Sequence, residues 1–196
     1  MERRIHLLHG IHTSEGDSNV SKLIAYLSEG TGLEVRYHQY GYAYALLTRF
    51  QNPGRAEKIA KEVKTGDIVV GHSNGATIAY LMIKNCGVRP DGLVLINPAL
   101  DVDIKFPKAF LWADIYHNMD DAAVSMAELF FFKHPWGAMG QWGYSGASDG
   151  RVTNIDCQAV PGMPRVAGHS AIFQPWLLSK WGPYMAARIN AHIKRS

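Results

Sequence analysis

Two cysteines are all that this 196-residue sequence contains, and their scarcity removes one class of fold at once. Cys86 and Cys157 lie far apart, in segments that read as buried. A free thiol packs there as a small hydrophobe, so no disulfide framework is implied. Long apolar runs are missing too: no segment approaches the roughly 20 residues of a membrane span. The apolar stretch after Arg3 and Arg4 is too short for a signal peptide, and a cytoplasmic product is expected. Charge of one sign never gathers. The 20 Lys and Arg against 17 Asp and Glu leave a net charge of +3, with the basic residues dispersed between the chain ends and the helices, so a nucleic-acid partner is not indicated. Internal repeats and low-complexity tracts are absent as well.

What is present is apolar content, 47% of the residues, enough for one well-buried core and too little chain for two ordinary domains. A single domain over residues 1–196 is expected. Short apolar runs alternate with amphipathic stretches, the pattern of a parallel sheet covered by helices on both faces. The runs predict six strands near 4–9, 34–39, 67–71, 92–96, 110–116 and 155–160, and helices near 18–29, 54–64, 74–85, 121–131 and 183–194. The fold class that follows is a three-layer α/β/α sandwich with a mainly parallel six-stranded sheet. Residues 132–150 break the alternation. This Gly-rich and aromatic insertion has no helical or strand period, and an irregular loop of that length is expected to face substrate or to pack its Trp136, Met139, Trp142 and Tyr144 on the body.

The stretch Ile68-Val69-Val70-Gly71-His72-Ser73-Asn74-Gly75-Ala76 carries the chemistry. A short apolar strand enters G-x-S-x-G and leaves as a helix, with Ala76, Ala79, Tyr80 and Ile83 at helical spacing. A serine at such a turn has a strained backbone, and only glycine two positions to either side lets strand and helix pass each other. Ser73 is therefore the candidate nucleophile. Its hydroxyl needs a base, and the base needs a carboxylate to fix its tautomer. In an open parallel sheet the reacting groups gather at the carboxyl ends of the strands. His169, in the Gly168-His169 loop past the last strand, is the expected base; His134 in the insertion and His192 near the chain end read as solvated surface histidines. Asp121 is the expected acid from the Asp120-Asp121 pair after the fifth strand, with its neighbour capping the following helix. Asp120 remains an alternative, and Asp101 or Asp103 after the fourth strand a further one.

A tetrahedral intermediate also needs donors for its oxyanion. The backbone N–H of Asn74, at the helix start, supplies one, and that of Ile11, after the first strand, is expected to supply the second, with Gly10 letting the backbone turn toward the site. Gly10, His72, Trp136 and Trp142 are expected to line the substrate. His6, His9 and His12 raise the question of a metal, but no cysteine or carboxylate pattern accompanies them, and no metal site is expected.

The elbow, the His9-Gly10 loop and the Gly168-His169 loop together make the chain resemble the α/β-hydrolase superfamily, in its small form without a cap domain. The chain order Ser73, Asp121, His169 agrees with that family's pattern, and the resemblance extends over nearly the whole sequence. It implies a truncated sheet in the order 2-1-3-4-5-6 and an acyl-enzyme route that needs no cofactor. The insertion at 132–150 departs from the family's helical connection and puts the usual pocket shape in question, and the missing leading strands make this a minimal version of the sheet. The expected function is hydrolysis of a small-molecule carboxylic ester, preferring short acyl groups, through a Ser-His-Asp triad. The same triad would serve a thioesterase or acyltransferase, and the fold could also persist in a binding or scaffold protein without turnover.

Overall fold

A computed structural model of the protein describes residues 2–11, 19–40, 48–123, 137–146 and 150–195. Six strands form one sheet: β1 (Arg4–Leu8), β2 (Glu34–His38), β3 (Ile68–His72), β4 (Gly92–Ile96), β5 (Trp112–His117) and β6 (Val152–Asp156). Their order is β2-β1-β3-β4-β5-β6, and every neighbouring pair is parallel. The helices are α1 (Ile24–Thr31), preceded by a 3-10 turn at Asn19–Leu23, α2 (Thr48–Ala60), α3 (Asn74–Cys86), the single turn α4 (Met139–Trp142) and α5 (Pro175–Ile193).

The two-residue period of the strands sorts side chains into two cores. Ile5, Leu7, Ile68, Val70, Val94, Ile96 and Tyr116 point to one face, under Leu23 and Leu27 of the α1 segment and Leu178, Trp181 and Ile189 of α5. Leu8, Val69, Leu93, Leu95 and Ile115 point to the other, under Ala56 and Ile59 of α2 and Ile78 and Ile83 of α3. Helices cover both faces of an all-parallel sheet, as the alternation of the sequence predicts.

Three boundaries differ from the sequence expectation. Strand β6 spans Val152–Asp156 rather than 155–160, because it is the edge strand, its Thr153 and Asn154 are exposed, and its polar half carries no hydrophobic signal. Residues 157–159 turn instead, with Gln158 N–H donating to Asp156 Oδ1 at 2.9 Å. Helix α5 begins at Pro175, not near 183; Pro183 lies inside it, whereas Pro175 occupies the first turn, where its missing N–H costs nothing. Helix α2 likewise begins at Thr48, ahead of the expected 54, and carries Pro53 within it. The helix expected at 121–131 lies mostly outside the described residues.

Candidate active site

The carboxyl ends of β3, β4, β5 and β6 converge on one edge of the sheet, and the residue immediately after each of the first three has a structural task there. Ser73, after β3, adopts φ 54° and ψ −121°; with Asn97, after β4, it is one of two non-glycine residues at positive φ among the described residues. That strain is held by its hydrogen bonds. Ser73 N–H donates to Ile96 O at 3.0 Å, and Ser73 O accepts from Ala76 N–H at 3.0 Å and Ala99 N–H at 3.2 Å. The flanking glycines are sterically required: a Cβ on Gly71 would lie 2.8 Å from Ala76 N, and one on Gly75 only 2.3 Å from Leu8 O. Ser73 is 6% exposed.

The loop after β1 passes directly over this serine, since a Cβ on Gly10 would come within 3.1 Å of Ser73 Cβ and 3.5 Å of Ser73 Oγ. His9 fixes the loop. Its Nδ1–H donates to Gly10 O at 2.7 Å, its ring stacks on Tyr40 at 3.8 Å between centroids, and the Tyr40 hydroxyl donates to His9 O. Burial holds the His9 imidazole below its usual pKa and so keeps it neutral. Ile11 follows at the half-buried end of this loop. Asn74 begins α3, and its buried side-chain amide exchanges two hydrogen bonds with that of Asn52 in α2, at 2.7 and 3.1 Å. The reciprocal amide pair locks the start of α3, where backbone N–H groups have no partner within the helix.

Asp121 is fully buried and both its oxygens lie 2.9 Å from His169 Nδ1. Asn97 Nδ2 donates to Asp121 Oδ2 at 2.9 Å, and Gly140 leaves room for that oxygen, because a Cβ there would approach it to 2.8 Å. The imidazole therefore has one carboxylate partner held from behind. Asp120 is exposed and accepts from Gln158 Nε2 instead, and Asp101 lies against Gly137. Asn118, the residue after β5, grips the Gly168-His169 loop: its Oδ1 accepts from Gly168 N–H at 3.2 Å and its Nδ2 donates to Gly168 O at 3.4 Å. Asn97 and Asn118 were not singled out from the sequence. Their only signal there is position, an asparagine directly after an apolar strand.

His72, expected to line the substrate, is 5% exposed. It packs edge-on against Phe173 at 4.8 Å and tilted against His169 at 5.0 Å, and its Nε2–H donates to the His169 carbonyl at 3.3 Å. Burial, reinforced by the neighbouring His169, pushes its pKa down to about 3. The turn at Ser73 and the Gly168-His169 loop are thus tied by a neutral imidazole. Trp142 lies 58% exposed on α4, and Trp136 and His134 lie outside the described residues. The described part of the insertion packs on the site's support: Gly140 N–H donates to Pro98 O at 2.9 Å, and Asn118 N–H donates to Gly140 O at 3.0 Å.

His192 corrects the sequence reading. It is not a solvated surface residue; its ring stacks on Trp112 at 4.1 Å and its Nε2 lies 3.2 Å from Asp114 Oδ1, beside a two-point Arg188–Asp114 ion pair at 2.7 and 2.8 Å. The basic neighbours Lys194 and Arg195 suggested exposure, while the buried carboxylate that draws the ring inward sits 78 residues away. His6 is equally enclosed: its Nε2–H donates to Asp67 Oδ2 at 3.0 Å and its Nδ1 accepts from His38 Nε2–H at 2.8 Å. His12 lies outside the described residues, and among those described no cluster of three or more His, Cys, Asp or Glu is arranged to hold a metal. Among them, too, no helix is long and apolar enough to cross a membrane.

No protein-family model matches the chain, and no curated protein is a significant relative. Solved structures do match. A protein described as a hydrolase of the alpha/beta superfamily, from Xanthomonas campestris pv. campestris, superposes with a TM-score of 0.56 at 17% identity, covering 95% of this chain and 99% of the other. Carboxyl esterase 2 from the mycorrhizal fungus Tuber melanosporum gives 0.57 at 15%, covering 96% and 78%. Est1E from Butyrivibrio proteoclasticus gives 0.56 at 14%, covering 98% and 89%. The chain has the α/β-hydrolase fold, in a version reduced to six parallel strands.

Proposed function

We propose that this protein is a serine hydrolase that cleaves a carboxylic ester through an acyl-enzyme, with Ser73 as nucleophile, His169 as general base and then acid, and Asp121 as the orienting carboxylate. The observation that carries the reading is the buried Asp121 carboxylate 2.9 Å from His169 Nδ1, joined through His72 to a serine strained at positive φ. Hydrogen bonded at Nδ1, the imidazole keeps its proton there and offers Nε2 as the acceptor for the Ser73 hydroxyl proton. Ser73 Oγ adds to the ester carbonyl, and the negative oxygen is met by the backbone N–H groups of Asn74 and Ile11. Collapse of this intermediate expels the alkoxide, which takes the proton from His169 Nε2 and leaves as alcohol. Water then gives its proton to His169 and attacks the acyl-serine, and the carboxylic acid and free Ser73 are regenerated.

The carboxyl esterase among the structural neighbours supports ester over other acyl chemistry. The acyl preference expected from the sequence is for short groups, and Trp142 and Trp136 are the aromatic side chains proposed to limit chain length. A fluorophosphonate probe, followed by peptide mapping, tests the nucleophile: label on Ser73, absent in Ser73→Ala, is expected. A panel of p-nitrophenyl esters from acetate upward tests the substrate class, with the short esters turned over fastest. An unlabelled Ser73 in folded protein would overturn the reading in favour of a scaffold without turnover.

A further inference from the structure

Beside His169 an open cleft of about 420 Å³ runs between the base loop and the 3-10 turn that precedes α1, lined by Asn19, Lys22, Gly168, His169, Ser170 and Gln174 among others. Three of its polar side chains, Asn19, Lys22 and Gln174, can donate into it. Asn19 Oδ1 accepts from Lys22 Nζ at 3.4 Å, and Gln174 Oε1 accepts from Trp176 Nε1 at 3.0 Å. With both carbonyl oxygens engaged, the two amides have their NH₂ groups left to offer, and Lys22, an ammonium with three donors, pairs with no carboxylate among the described residues. Among the lining residues it is the one with a permanent charge. The cleft thus sets one cation and two amides on a wall that is otherwise largely apolar, with Ala167, Ala171, Phe173 and Pro175.

The mechanism proposed above assigns this cleft a place in the reaction. His169 hands its proton to the departing oxygen, so the alcohol half of the ester must lie against the imidazole, on whichever side the site is open. We infer that the cleft is the leaving-group subsite and that it takes an alcohol bearing a carboxylate, so that the substrate class is an O-acyl hydroxy acid. Lys22 meets the carboxylate, the Asn19 and Gln174 amides donate to its remaining lone pairs, and the acyl half stays on the Ile11 side. This inference rests on the serine-hydrolase reading.

The test compares kcat/KM for three esters that share the reaction: phenyl acetate, 4-acetoxybenzoate with the charge on the alcohol, and phenyl hemisuccinate with the charge on the acyl group. They are run with wild type, Lys22→Gln and Lys22→Glu. An exposed ion pair is worth about 0.2–1 kcal/mol, so the ratio of 4-acetoxybenzoate to phenyl acetate should fall roughly 1.4- to fivefold in Lys22→Gln and further in Lys22→Glu. The change should appear mainly in KM and shrink at 1 M salt, where the Debye length is about 3 Å. The hemisuccinate ratio should not follow it. Equal 4-acetoxybenzoate ratios in the three proteins, or parallel changes for both charged esters, overturn the subsite. If no ester turns over and Ser73 does not label, the enzyme reading fails instead, and the cleft is judged by NMR titration with 4-hydroxybenzoate against phenol. Binding of the benzoate that Lys22→Glu abolishes supports an anion subsite; no binding refutes it.

Discussion

Acidification from pH 7.5 to 5 should weaken this fold through two histidines that have no proposed part in proton transfer. His38 is 8% exposed and burial holds its pKa down to about 4; His72 is 5% exposed and is held down to about 3. In the unfolded chain both return to the ordinary imidazole value of 6.5. At pH 5 the unfolded state therefore binds nearly one proton more at each site than the folded state, so stability rises with pH across this window and is lost as pH falls from 6.5 toward the folded values. Integrating the linkage to pH 5 gives about 2 kcal/mol for each group and about 4 kcal/mol for the two. That is a large share of the roughly 5–15 kcal/mol that holds a domain together. His6, also held low by burial, acts in the same direction. Urea denaturation at pH 7.5, 6 and 5 measures the loss, and His38→Gln, whose amide can still donate to His6 Nδ1, should remove close to half of it. NMR titration of the histidine ring protons gives the folded pKa values directly. A stability that stays flat to pH 5, or rings that titrate near 6.5 in the folded protein, would refute the assignment of these imidazoles as buried and neutral.

The adjacent aspartates should separate cleanly: Asp121→Asn, which removes the carboxylate at His169 Nδ1, is expected to lower kcat on the order of ten-thousandfold, while Asp120→Asn, at an exposed hydrogen bond to Gln158, changes esterase kinetics little. Asn97→Ala removes the 2.9 Å donor to Asp121; a hydrogen bond to a charged group is worth about 1.5–3 kcal/mol, so kcat should fall roughly ten- to a hundredfold with KM held, and a loss seen in KM alone would contradict the positioning role. Gly75→Ala drives a methyl to 2.3 Å from Leu8 O and should cost about 1–3 kcal/mol in a denaturant titration; full stability would mean that the elbow relaxes freely.

The parts of this molecule that could be read from its sequence are those fixed by short-range sterics and strand periodicity. Gly71, Ser73 and Gly75 announce the elbow because the constraint that selects them acts across five residues, and the apolar runs of β1, β3 and β4 announce central strands because those strands are buried on both faces. The order of the sheet was implied by the resemblance to the α/β-hydrolase superfamily, and the rule that reacting groups collect at carboxyl ends pointed to Asp121 and His169 as candidates. The first half of edge strand β6 escaped, and its predicted bounds ran late, because the exposed Thr153 and Asn154 carry no such signal. The partners that hold the site together escaped for a different reason: Asn118 meets Gly168 across 50 residues and His72 meets the His169 carbonyl across 97, so no local pattern could pair them.

Those long-range partners nevertheless obey a local rule that the fold exposes. In a parallel sheet every strand delivers its next residue to the same edge, and here the residues after β3, β4 and β5 are Ser73, Asn97 and Asn118. The first is held at positive φ, the second steadies Asp121, and the third clamps the backbone one residue before His169. Because each sits one step past a buried strand, its backbone is as fixed as the core beneath it, and the Asp121–His169 pair inherits that rigidity without lying on a strand itself. A site assembled this way is preorganised by the sheet, so substitutions at Asn97 and Asn118 should act on the orientation of the imidazole well before they unfold the chain.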